Sequence, residues 1–140
     1  MIKITIMGAG SSVFVKNFLG DCLLTDSIKN ELELALYDIN GNRLKESMAL
    51  VEALNVKYND GKAILKGYLG KEERKEALRG ADFVINTIQV GGYDPCTVID
   101  FEIPKRFGLR QTIADTVGIG GIMRALRTMP VIEEFAGDIM

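Results

Sequence analysis

The first ten residues constrain this chain most. Ile2, Ile4 and Ile6 are β-branched, Lys3 is the only charge in the run, and the run stops at Gly8-Ala9-Gly10. An apolar stretch of this kind reads as a buried strand at the start of a domain. After the glycines, Val13, Phe14, Asn17, Phe18, Asp21, Cys22 and Leu24 fall at helical spacing. Ser11 or Ser12 can cap that helix, which is expected to end near Thr25-Asp26-Ser27. A glycine turn between a strand and a helix is the context of the dinucleotide fingerprint. Gly8 permits the tight turn, Gly10 lets the backbone approach a pyrophosphate, and the helix N-terminus supplies N–H groups and a positive dipole. Val13 holds the place of the third fingerprint glycine, which serves helix–strand packing rather than phosphate contact. A purely structural glycine turn is the alternative.

The pattern then repeats. Leu32, Leu34 and Leu36 alternate in a second strand, Leu32–Asp38, followed by a turn at Asn40-Gly41-Asn42. Leu44, Met48, Val51, Leu54, Val56 and Tyr58 mark an amphipathic helix closed by Asn59-Asp60-Gly61. Residues 63–68 form a short third strand, and residues 71–79 a charged helix that stops at Gly80. Residues 82–88 read as the most apolar strand, broken by Gly91-Gly92. A helix is expected from about Pro95 to Phe107. A Gly- and Thr-rich loop then leads to a last helix at Gly120-Gly121. Alternating strands and helices predict right-handed crossovers and a doubly wound, Rossmann-like parallel α/β sheet. A complete six-stranded dinucleotide fold needs two further strands. Residues 1–140 are therefore expected to be either a small variant of a dinucleotide-binding domain or the N-terminal part of one, cut before its last strands.

Composition narrows the chemistry. There is no histidine, which removes histidine triads, histidine general bases and His-rich zinc sites from this stretch. Seventeen Lys and Arg against 19 Asp and Glu leave a net charge of −2 and no basic patch, so no nucleic-acid partner is expected. No apolar run approaches the roughly 18 residues of a membrane span, and no signal peptide is visible. The two cysteines, Cys22 and Cys96, are too few for a disulfide framework and suit a reducing, cytoplasmic setting.

Asp38 sharpens the glycine motif. An acid ending the second strand of a βαβ unit accepts hydrogen bonds from the adenosine ribose and repels a 2′-phosphate, which favours NAD over NADP. The alternative is an Asp that caps the following turn. Asn86 and Gln89, in the segment Asn86–Gly92 after the fourth strand, border the switch point where the middle of a dinucleotide lies. Asn86 as a strand-end turn former is the alternative. Asp115 precedes the Gly118–Gly121 region and can act as an acid, base or electrostatic group, or sit in a surface turn. Arg124 and Arg127 share a helix face and could meet an anion or pair with Glu133 or Glu134. Cys96 reads as a plain buried cysteine.

The glycine loop Gly8–Ser11, the Tyr37-Asp38 strand end, the segment Gly91–Thr97 and above all the block Gln111–Pro130 resemble glycoside hydrolase family 4. Within it they resemble the bacterial α-galactosidases, over essentially all 140 residues. The resemblance implies a lactate/malate dehydrogenase-like Rossmann domain holding NAD, and a divalent metal, usually manganese, beside the sugar. It also implies an unusual chemistry: transient oxidation of the sugar, elimination of the leaving group, water addition and return of the hydride, outside the two-carboxylate scheme. The metal polarises the oxidised oxygen.

Carried over by residue, Gly8, Gly10, Ser11 and Ser12 match the pyrophosphate loop. Asp38 matches the ribose acid, Asn86 to Val90 (with Asn86 and Gln89 as its polar candidates) the segment lining the cofactor, and Asp115 an acid that supports the active-site base electrostatically. Family members acting on phosphorylated sugars carry an Arg after the double glycine. Asp94-Pro95-Cys96-Thr97 offers no such cation, which implies an unphosphorylated α-galactoside such as melibiose. An α-glucosidase of the same family and a lactate/malate-type dehydrogenase are the alternatives. The family's metal ligands and catalytic base are expected beyond residue 140. The stretch alone is therefore expected to be inactive and its full-length form to be a homo-oligomer.

Overall fold

Residues Ile2–Met7 form β1, the strand the isoleucine alternation predicts, and every other strand is placed by reference to it. The computed structural model describes residues 1–110 and 118–139. After β1 come α1 (Ser12–Leu24), β2 (Leu32–Asp38), α2 (Gly41–Asn59), β3 (Ile64–Leu69), α3 (Gly70–Leu78) and β4 (Phe83–Asn86). A kinked helical segment over Gly92–Thr97 leads into α4 (Val98–Arg106), and α5 covers Ile119–Ile139. The chain divides into two compact units, residues 1–88 and residues 89–138.

In the first unit all strand pairs are parallel, in the order β3-β2-β1-β4. The order reverses between β1 and β4, which makes the carboxyl edge of those two strands a topological switch point. This is a Rossmann-like α/β sheet. Ile4 pairs with Leu34 and Ile6 with Leu36, and the four side chains build one buried face. Val15, Leu19 and Leu23 of α1 and Leu44 and Val51 of α2 pack onto that face. The opposite face carries Thr5, whose hydroxyl donates to the Ala77 carbonyl of α3 at 2.9 Å, so helices cover both sides. On that side Lys3 Nζ donates to the Arg79 carbonyl at 2.7 Å, at the C-terminal end of α3 where a cation complements the negative end of the helix dipole.

Three expectations are corrected. Gly41 and Asn42 are not a turn but the first residues of α2, because the Asn40 side chain caps the helix and accepts from the Asn42 and Arg43 N–H groups at 3.1 Å. β4 ends at Asn86 rather than near Ile88: the Thr87 N–H makes the last ladder bond, to the Met7 carbonyl at 2.8 Å, and β1 itself stops at Met7, so nothing is left to pair with. No strand pairs with the outer edge of β4 among the described residues, and Phe83 is 60% exposed there. The helix expected from Pro95 is regular from Val98, and the segment Gly92–Thr97 before it is kinked at the extended Asp94.

Candidate functional site

The turn after β1 is held by hydrogen bonds to the N–H and the carbonyl of both Gly8 and Ala9. Gly8 takes φ +88°, a conformation side chains rarely adopt. The Gly8 and Ala9 N–H groups both donate to the Tyr37 carbonyl at 2.9 Å. The Ala9 carbonyl accepts from Ser47 Oγ of α2 at 2.7 Å. Thr87 Oγ1 donates to the Gly8 carbonyl at 2.9 Å, tying the turn after β4 to the turn after β1. A loop fixed on both sides in this way is preorganised, so a ligand meets donors already in place.

Asp38 closes the arrangement from the end of β2. One carboxylate oxygen accepts from the Gly10 N–H at 2.6 Å, the other from the Asn40 N–H at 2.8 Å. The approach leaves no room for a side chain at position 10: a Cβ there would stand 2.7 Å from Asp38 Oδ2. The second glycine is thus required by the acid beside it. Asp38 also organises the turn that leads into α2, so the turn-capping alternative describes part of what it does.

The N-terminus of α1 points out of this turn. Ser11, Ser12, Val13 and Phe14 are exposed, and the first turn carries no acid. Val15 N–H makes the first bond within the helix, to the Ser11 carbonyl, so the N–H groups before it lack an intrahelical acceptor. The serine cap expected here does not form. Ser11 sits at ψ 80°, short of the extended conformation from which an N-cap side chain reaches back. Uncapped, this end suits an external anion.

Asn86 lies at the carboxyl end of β4, and its Oδ1 accepts from the Ile88 N–H at 3.3 Å, the turn-forming alternative. Gln89 belongs to the second unit, where its Nε2 donates to Thr97 Oγ1 at 2.9 Å. Asp115 lies outside the described residues. In the second unit Arg127 meets neither Glu133 nor Glu134. It makes a two-pronged bond to Asp100 of α4, at 2.8 and 2.5 Å, because the 3%-exposed carboxylate needs a cation. Asp100 holds the guanidinium firmly protonated. Cys96 is half-buried rather than buried, and its sulfur lies where a Cβ on Gly91 would stand.

Ser47 escaped sequence reasoning, and Thr87 entered it only as a member of the segment Asn86–Gly92. Ser47 carried one signal, a small hydroxyl on the apolar stripe of Leu44, Met48 and Val51. The residues of the first unit fit a dinucleotide: a fixed glycine turn, an open helix N-terminus and an acid at the adjoining strand end. Among the described residues no three His, Cys, Asp or Glu side chains come together as metal ligands.

Residues 3–140 match the family profile described as family 4 glycosyl hydrolase. The chain belongs to that family. It is 60% identical over 139 residues to the α-galactosidase of Bacillus subtilis strain 168, covering 99% of this chain and 31% of that protein. It is 35% identical over 139 residues to the α-galacturonidase of Thermoanaerobacterium saccharolyticum, with 99% and 29% covered. Among solved structures, it is similar to the 6-phospho-β-glucosidase of Thermotoga maritima with manganese, NAD+ and glucose-6-phosphate. That similarity has a TM-score of 0.79 and 29% identity, over 99% of this chain and 31% of the other. This family 4 chain therefore spans just under a third of the length of these relatives.

Proposed function

We propose that this chain is the NAD-binding part of an NAD- and manganese-dependent α-galactosidase. The 60% identity to an α-galactosidase over 99% of the chain carries the substrate class. The preorganised glycine turn and Asp38 support the cofactor. In this reading the N–H groups at the start of α1, from Ser11 and Ser12 onward, hold the pyrophosphate, and Gly8 and Gly10 let the backbone come close. Asp38 turns its remaining lone pairs to the ribose hydroxyls, and its charge disfavours a 2′-phosphate. Asn86, at the switch point, lines the path toward the nicotinamide. Gln89 and Asp115 belong to the same reading, the first beside the cofactor and the second as electrostatic support for the base.

Bound NAD supplies a reversible hydride acceptor and so leaves no net NADH after a turnover. The protein's share is to bind and orient it. The metal's ligands and the base are assigned to the part of the enzyme beyond these 140 residues. The full-length enzyme is then a cytoplasmic homo-oligomer acting on an α-galactoside such as melibiose.

The test is hydrolysis of aryl α-galactoside, α-glucoside and α-galacturonide by the chain joined to its natural continuation, with NAD and manganese. We expect the galactoside to be cleaved fastest and no net NADH to appear. Net NADH from a hydroxy acid, or preference for another glycoside, would overturn the assignment. Galactose release by residues 1–140 alone would overturn the division of labour.

A further inference from the structure

Arg43 occupies the first turn of α2, where a positive side chain opposes the helix dipole and a carboxylate would be favoured. The same turn contains no acid. Its aliphatic stem lies across Gly10: a Cβ built on that glycine would stand 2.9 Å from Arg43 Cβ and 3.0 Å from Cδ. The stem therefore runs beside the Asp38 carboxylate, which approaches the same point at 2.7 Å. Yet among the described residues the guanidinium makes no ion pair or hydrogen bond, and only the Arg43 backbone N–H is engaged. Each Asp38 oxygen already accepts from a backbone N–H, of Gly10 and of Asn40. An exposed guanidinium without an ion pair thus sits at the end of a stem laid across the turn proposed to hold the cofactor.

We propose that Arg43 is a cofactor-binding residue whose guanidinium contacts the adenosine diphosphate half of NAD. Its plane suits the purine face and its charge the pyrophosphate. Asp38 takes the ribose from one side and Arg43 closes over the adenosine diphosphate from the other. The inference rests on the NAD reading above.

The experiment is calorimetric titration of the 140-residue chain and its variants with NAD and with ADP-ribose, beside urea unfolding of each. Arg43→Met keeps the stem over Gly10 and removes the charge and the plane. We expect it to weaken both ligands about tenfold, and equally, since ADP-ribose shares only the proposed contact half. Its urea midpoint stays at or above the wild-type value, because an unfavourable helix charge has gone. Arg43→Lys recovers part of the affinity. NAD affinity within twofold of wild type in Arg43→Met overturns the inference. So does a loss for NAD that spares ADP-ribose, or a loss matched by a lower urea midpoint, which would make the residue structural. A wild-type chain that binds neither ligand overturns the NAD reading itself.

Discussion

Asp38→Ala is the perturbation whose cost can be worked out most closely from the structure. The carboxylate accepts from Gly10 N–H at 2.6 Å and from Asn40 N–H at 2.8 Å. A hydrogen bond to a charged group contributes about 1.5–3 kcal/mol net. Asp38 is 9% exposed, so water can reach part of the space left behind, and the lower figure applies. Two bonds at that figure give a loss of about 3 kcal/mol. Asn40 is the cap of α2, so the second bond also loosens the start of that helix. With a urea slope of roughly 2 kcal/mol per molar, the unfolding midpoint falls by about 1.5 M. Asp38→Asn keeps one carbonyl acceptor and should lose about half as much. It separates fold from ligand: the variant stays largely folded while NAD affinity falls about tenfold, for want of the charged ribose acceptor. An Asp38→Ala midpoint within about 0.25 M of wild type would refute the role given to these two bonds. Unchanged NAD affinity in Asp38→Asn would refute the placement of the ribose.

Other outcomes follow from the same geometry. Ser47→Ala removes the buried donor to the Ala9 carbonyl and should cost about 1–2 kcal/mol by urea unfolding, with weaker NAD binding because the glycine turn is released. Thr87→Val preserves shape but drops the bond to the Gly8 carbonyl; hydrogen exchange at the Gly8 and Ala9 amides should quicken. Asp100→Ala strips Arg127 of its two-pronged partner and should speed limited proteolysis around Gly91–Thr97. Burial, with the neighbouring Asp21 charge, pushes the Cys22 thiol up. The unfolded thiol therefore ionises first, so stability is full below the ordinary thiol range and falls as pH rises through it toward the folded value. In Cys22→Ala that alkaline decline should flatten, as read by unfolding midpoints across a pH series.

Much of the first unit was legible because its signals are local. The alternations Ile2–Ile4–Ile6 and Leu32–Leu34–Leu36 set both central strands to the residue, and glycines after a strand announced the turn. Asp38 was legible as a strand-end acid. Its bond back to Gly10 was not, since it depends on how two distant segments meet. Ser47, the bond of Thr87 to Gly8 and the Asp100–Arg127 pair escaped for the same reason: each partner lies at least 27 positions away, and no periodicity records such a contact. Asn40-Gly41-Asn42 looked like a turn by composition, yet the Asn40 cap lets the helix start inside it. Propensity lost there to a side-chain acceptor.

The claim that this chain forms a ready-made dinucleotide site is tested most directly by calorimetric titration of residues 1–140 with NAD, NADP and inorganic pyrophosphate. We expect NAD to bind one to one and NADP more weakly, because Asp38 repels the 2′-phosphate. Gly10→Ala, whose Cβ would displace Asp38 Oδ2, should abolish the preference for NAD. No measurable NAD binding, or NADP bound as tightly as NAD by the wild-type chain, would contradict it.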